Sequence, residues 1–310
     1  MPLALLRNDG QEEHFAPGHP ERPDRVRAVL ERIRGDAELA ALPWLEAPPG
    51  DVELPRLVHT ASEVAAVQLV AEAGGGWFDA DTYCTESSYR IALDAAACAA
   101  RAAEAVAGGE SLSVFAVVRP PGHHATPDVP MGFCLFGNAA IAVRTAQRHG
   151  VARVAIVDVD VHHGNGTQDM FWDDPDVLYC SLHEYPFFPG SGAASERGGD
   201  SAAGTTVNVP LPAGTDGAAW LRAFDEVVAP AVRAFAPELV VVSAGFDAHA
   251  DDPLAGLALH DETYTAMAER IRDLAEDRAR GRMVWLLEGG YDLRAIAECS
   301  SRCLRVLAAA

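Results

Sequence analysis

The sequence predicts a single α/β domain spanning residues 1–310, a central and mainly parallel β-sheet with helices on both faces. Three observations predict it. From residue 114 onward, short β-branched runs alternate with helix-length amphipathic segments, the pattern of strands joined by helical crossovers. The run Val154 to Val157 is apolar throughout, as a strand buried on both faces is. Polar residues then gather just past the carboxyl ends of four such runs, the edge at which open α/β sheets bind ligands.

In chain order, residues 11–34 open with His14 and His19-Pro20-Glu21-Arg22-Pro23-Asp24-Arg25. Val26, Val29, Leu30 and Ile33 then mark the apolar side of a helix. Pro43 to Pro55 is a loop, and Leu57 to Thr60 leads into a helix that Gly74-Gly75-Gly76 breaks at about residue 73. Asp79 to Tyr83 reads as an irregular polar segment before a long Ala-rich helix over 87–107. Strands are expected at Val114 to Val118, Val154 to Val157, Val177 to Leu182, Thr206 to Leu211, Leu239 to Ser243 and Met283 to Leu287. Helices are expected at 137–149, 217–235, 261–279 and 293–308.

Composition narrows the function classes. A hydrophobic content of 49% suffices for a core, and no 18-residue apolar run suggests a membrane span. Met1 to Gly10 lacks the basic start and apolar centre of a signal peptide. Six cysteines form no C-x-x-C pair, and Cys84, Cys98, Cys134 and Cys180 sit in apolar or turn segments, so a reduced, cytoplasmic setting is expected. A net charge of −21 argues against nucleic acid as a partner. It suits a cationic substrate, or serves solubility alone. The oligomeric state is left open.

Asp158, Asp160 and His162 follow the central run at spacing two, which along a strand sends all three side chains to one side, and Gly164 and Gly166 end the run as a turn. Crowded there they repel one another and lose hydration, and a cation placed among them removes both penalties. Asp160 and His162 offer an oxygen and a nitrogen ligand, and Asp247 adds a second oxygen from a neighbouring strand end. Three protein ligands leave a position open for water or substrate, as a hydrolytic metal site needs. Zinc is the default for this donor set, with Fe(II) or Co(II) as alternatives. The bland readings are polar groups fanning into solvent and, for Asp247, an Asx-turn or helix cap.

His123-His124 follows Pro-Pro-Gly on a stiff loop, where adjacent imidazoles can act as base and acid near neutral pH. Asp158 and Asn165 are candidates to orient them; the opposing reading is a surface pair in a turn. Tyr291 follows two glycines and can donate to a carbonyl oxygen as negative charge builds there, unless it is a packed core tyrosine. Gly132-Phe133 and Phe187-Phe188 offer aromatic walls for a narrow channel, although such pairs also serve plain packing.

Arg119-Pro120-Pro121-Gly122-His123-His124, Gly132-Phe133-Cys134, Asp158 through Gly166, Ser181-Leu182-His183, Phe187-Phe188-Pro189-Gly190, Ser243 through Ala248 and Glu288-Gly289-Gly290-Tyr291 occur in this order. With them the chain resembles the histone deacetylase superfamily over nearly its whole length, and Asn165 is similar to the class II branch. The resemblance implies the arginase/deacetylase fold and one zinc, or iron, on Asp160, His162 and Asp247. His124 would be the base for the attacking water and later the acid for the leaving amine. His123, oriented by Asp158, would assist electrostatically, and Asn165 would orient His124. Tyr291 would polarise the amide carbonyl. Phe133 and Phe188 would line the tunnel, with Gly132 receiving the substrate NH. Asp158, Asp160, His162, Ser181 and Leu182 would hold a structural potassium ion, and Arg25 would guard the cavity through which acetate leaves.

The activity so implied is metal-dependent removal of acetyl or other acyl groups from lysine side chains of proteins or peptides. Acetylated polyamines and other small N-acyl amines are the alternative substrates. The polyamine-selective branch carries a Glu gatekeeper where this chain has Leu254, which tilts the reading toward acyl-lysine. A binuclear manganese ureohydrolase would need further Asp and His ligands. A non-catalytic acyl-lysine binder would be expected to lack Tyr291 or a metal ligand.

Overall fold

A computed structural model of the chain describes residues 2–309; Met1 and Ala310, the two ends of the predicted domain, lie outside the described residues. The strands are β1 (Leu3–Arg7), β2 (Gly76–Trp77), β3 (Tyr83–Cys84), β4 (Ser113–Val117), β5 (Val154–Asp158), β6 (Val177–Glu184), β7 (Thr206–Leu211), β8 (Leu239–Ala244) and β9 (Met283–Leu287). The α-helices are α1 (Asp24–Arg34), α2 (Ala37–Ala40), α3 (Ala61–Glu72), α4 (Ser88–Ala107), α5 (Asn138–Arg148), α6 (Asn165–Met170), α7 (Gly217–Ala223), α8 (Ala229–Phe235), α9 (Asp261–Ala279) and α10 (Leu293–Ala308).

Seven strands form one sheet in the order β1-β4-β9-β8-β5-β6-β7, every neighbouring pair parallel, while β2 and β3 make a small antiparallel ribbon. Alternation along each strand feeds two cores. On β4, Phe115 and Val117 face the layer of α1, α9 and α10, with Val29, Ile271 and Leu304. Val114 and Ala116 face α4 and α5. The alanines of that layer, among them Ala95, Ala99, Ala102, Ala139, Ala142 and Ala146, are fully buried, so small side chains let these helices pack closely on the sheet. The helix expected over 217–235 is a continuous run with a π turn at Phe224–Val228, where Ala229 N donates to Phe224 O. The next residue, Pro230, has no N–H to give, and the wider turn keeps the run going.

Three local readings change. The first residues form the edge strand β1, which the sequence reading did not anticipate. Asp79 to Thr82 is irregular as expected, with Asp79 accepting hydrogen bonds from Asp81 N, Thr82 N and Thr82 Oγ1, but Tyr83 enters the strand β3. The segment around Gly164 and Gly166, expected as a turn, opens the short helix α6. No helix among the described residues is long and apolar enough to cross a membrane.

Candidate active site

β5 ends at Asp158, so strand alternation does not place Asp160 and His162 as the spacing suggested. Backbone hydrogen bonds carry the chain onward between its neighbours instead. Val159 N donates to Ser243 O (3.1 Å), Glu184 N to Val161 O (2.8 Å), and Val161 N to Asp247 Oδ1 (2.9 Å). The last bond ties the β5 end to the β8 end and leaves Asp247 Oδ2 buried without a hydrogen-bond partner.

Ligand atoms of Asp160, His162 and Asp247 lie within 4.8 Å of one another. His162 Nδ1 sits 3.2 Å from Asp160 Oδ1 and 3.3 Å from Asp247 Oδ2. Burial would lower the His162 pKa, but its hydrogen bond to Asp160 and the charges of the Asp247 and Asp160 carboxylates beside it raise it to about 10. Burial and repulsion from Asp160 push Asp247 up to about 7. The cradle therefore demands positive charge between two carboxylates, and the unpartnered Asp247 oxygen and mixed N/O donors fit a divalent cation. A Cβ on Gly289 would lie 2.1 Å from Asp247 Oδ2 and 2.6 Å from Asp160 Oδ2, so only glycine lets the β9 loop approach this close.

The histidine pair lies beside the cradle. His123 Nδ1 faces Asp158 Oδ2 at 3.1 Å, and His124 Nδ1 faces Asn165 Oδ1 at 2.9 Å. Burial disfavours a charged His123, yet Asp160 and Asp158 hold its pKa well above the usual value. Burial, together with His123 and His162, holds His124 well below it. An amide oxygen only accepts, so Nδ1 of neutral His124 donates to Asn165 and Nε2 keeps its lone pair. Gly164 sits against this pair: a Cβ there would meet Asp158 Oδ2 at 2.2 Å and His123 Nδ1 at 3.0 Å.

A narrow pocket of about 210 Å³ opens above the cradle, lined by Asp81, His124, Gly132, Phe133, His162, Phe187, Phe188, Leu254 and Tyr291. Phe188 packs edge-on to His124 (5.1 Å), Phe187 stacks on His162 (5.5 Å), and Phe133 meets Tyr291 edge-on (5.8 Å). A larger cleft of about 850 Å³ beside β1, at Arg7, Arg34 and Trp44, contains none of these residues.

Residues 19–307 match the histone deacetylase domain family. The chain belongs to the histone deacetylase family. It is 42% identical over 286 residues to a histone deacetylase-like amidohydrolase of Pseudomonas aeruginosa, covering 92% of this chain and 75% of that one. It is 40% identical over 309 residues to the chloroplastic histone deacetylase 10 of rice (Oryza sativa subsp. japonica), covering 92% and 68%. A probable deacetylase of Archaeoglobus fulgidus is 40% identical over 280 residues, covering 90% and 78%. The crystal structure of the HDA15 HD domain superposes with a TM-score of 0.94 at 38% identity, over 99% of this chain and 88% of that one.

In this histone deacetylase-family chain, Asp158 and Ser181 are register partners across β5 and β6, with Leu182 next on β6. Arg25 is buried, donates to Gly290 O (2.6 Å) and to Glu288 O, and lies 4.8 Å from the Tyr291 ring centre. The sequence reading assigned no role to Asp81, Glu288 or Asp252. Asp81 lines the pocket mouth. Glu288 Oε2 accepts from Gly122 N (2.7 Å) and His123 N (3.2 Å), fixing the backbone of the histidine loop. Asp252 bonds to the backbone of Tyr291. The strong polarity of Asp79 to Asp81 hinted at the first; the other two act on backbone far away in sequence and carry no local signal.

Proposed function

We propose that the chain is a zinc-dependent amidohydrolase that removes acetyl or longer acyl groups from lysine side chains of proteins or peptides. The observation that carries this reading is the convergence of Asp160, His162 and Asp247 beside a narrow, aromatic-walled pocket that His162, His124 and Tyr291 line. A bound zinc, or Fe(II), would supply Lewis acidity, polarising the amide carbonyl and making water acidic enough to attack near neutral pH. His124 Nε2 takes the water's proton and returns it to the departing amine. His123, kept cationic beside Asp158 and Asp160, steadies the negative charge that grows. Tyr291 donates its O–H to the carbonyl oxygen. Phe133 and Phe188 enclose the alkyl chain, and Gly132 O accepts the amide N–H. A structural potassium ion among Asp158, Asp160, His162, Ser181 and Leu182 belongs to the same reading, supported by the Asp158–Ser181 register.

The second reading, a small acylated amine such as an acetylpolyamine, is favoured by Asp81 at the mouth and by the net charge of −21, both of which attract a cationic end. Leu254 on the pocket wall supports the lysine reading, since it offers no charge to a polyamine. Turnover of acetyl-lysine peptides, longer acyl-lysines, acetylputrescine and acetylspermidine, measured side by side, separates the two. The peptide should give the highest kcat/KM, and Leu254→Glu should shift the ratio toward acetylspermidine. Preference of the native protein for acetylspermidine would reverse the assignment.

A further inference from the structure

Tyr291 lies in the connection between β9 and α10, whose backbone runs through Gly290 at a φ of +118°. Such a connection aims a hydroxyl only if something holds it. Arg25 grips one side through Gly290 O and Glu288 O. Asp252 grips the other. Its carboxylate, 6% exposed, accepts from Tyr291 N (2.6 Å) and Asp292 N (3.2 Å) on Oδ2 and from Leu254 N (3.0 Å) on Oδ1. Its own N–H donates to His249 O (2.9 Å), anchoring the carboxylate to the segment that follows β8. Both oxygens are thus committed, one to each side of the gap between the Leu254 wall and the Tyr291 connection. Asp252 itself lines no part of the pocket.

We propose that Asp252 is a positioning residue for the deacylation step, fixing the Tyr291 backbone against the pocket wall that carries Leu254. The proposal rests on the reading of Tyr291 as a donor to the substrate carbonyl. Through this carboxylate, the wall that meets the substrate's alkyl chain and the hydroxyl that meets its carbonyl share one anchor. An amide at this position has a single acceptor oxygen, so Asp252→Asn must release one side. Displacement of a reacting group by about 1 Å is enough to cost up to about 10²-fold in rate.

The test is a double-mutant cycle on zinc-loaded protein with an acetyl-lysine peptide: wild type, Asp252→Asn, Tyr291→Phe and the double variant. Tyr291→Phe should lower kcat by about 10²–10³-fold, as for a lost oxyanion donor. Asp252→Asn should lower kcat by about 10–10²-fold with KM little changed. Because Asp252 acts through Tyr291, the double variant should fall within about 3-fold of Tyr291→Phe alone. Zinc stoichiometry and melting temperature confirm that each variant is folded and loaded; should Asp252→Asn fail to fold, Asp252→Glu, which keeps the charge but moves the oxygens, takes its place. A wild-type kcat for Asp252→Asn, or losses that multiply in the double variant, overturns the role of Asp252 alone. A wild-type kcat for Tyr291→Phe overturns the reading of Tyr291 and the role of Asp252 with it.

Discussion

His123 and His124 are adjacent and both buried, yet their surroundings pull protons in opposite directions. The carboxylates of Asp160 and Asp158 outweigh burial at His123, while burial and two neighbouring imidazoles keep His124 neutral. Pairs of titratable groups driven apart in this way are how one site holds an electrostatic stabiliser and a base at the same pH. A second buried pair, Glu63 on α3 and His59 just before it, lies away from the pocket and shows the same physics without the chemistry. Glu63 is buried with neither carboxylate oxygen hydrogen-bonded, and His59 Nδ1 lies 3.6 Å away. Burial, reinforced by Asp128, raises the Glu63 pKa from 4.5 to about 9, and burial lowers His59 to about 4. Both groups are therefore neutral at pH 7. Because the folded value of Glu63 lies above the unfolded one, its share of stability is intact below pH 4.5 and lost as pH rises through about 9. Relative to Glu63→Gln, the wild-type unfolding free energy in urea should decline steadily across that window. Parallel curves for the two proteins would show that the carboxyl is not held neutral.

At the scale of elements, one carboxylate joins four segments. Glu21, just before α1, receives Arg119 Nε (2.6 Å) and Nη2 (2.8 Å) from the loop after β4, Arg25 Nη1 (3.0 Å) from α1, and Tyr83 Oη (3.3 Å) from β3. Arg25 then carries the linkage to the connection after β9. Burial alone would raise the Glu21 pKa, but Arg119 and Arg25 hold it at about 2. Glu21, Arg25 and Arg119 are each at most 1% exposed, so their charges compensate one another without water. Glu21→Gln would leave two buried guanidinium groups facing a neutral partner, and should destabilise the fold by roughly 3–5 kcal/mol. Urea unfolding at pH 7 measures this. A loss below about 1 kcal/mol, the range of an exposed pair, would mean that solvent reaches the cluster.

At the scale of the whole molecule, the parts legible in the sequence are those whose cause is local. The helices expected over 261–279 and 293–308 are the observed α9 and α10, because amphipathic spacing is carried within each segment. The strands β4, β5, β8 and β9 show through as largely apolar runs, since a parallel sheet covered on both faces leaves no polar side, whereas β7 at the sheet edge carries Thr206 and Asn208. β1 was missed because five residues carry little periodicity and its partner β4 begins more than a hundred residues later. Asp160 and His162 do lie together with Asp247, but they converge through hydrogen bonds at three strand ends rather than through the period of one strand. Asp252 and Glu288 carry no legible role in the sequence because each ties its loop to backbone amides of a distant segment, Tyr291 for Asp252 and Gly122 for Glu288. All of this architecture delivers Asp160, His162 and Asp247 to one point, and the account depends on an ion acting there. The most direct measurement is a zinc titration of metal-stripped protein that follows metal binding and hydrolysis of an acetyl-lysine peptide together. Activity should rise from zero to a plateau at one zinc per chain, and Asp247→Asn should lose both tight binding and turnover. Full turnover by metal-free protein, or undiminished zinc binding and activity in Asp247→Asn, would contradict the account.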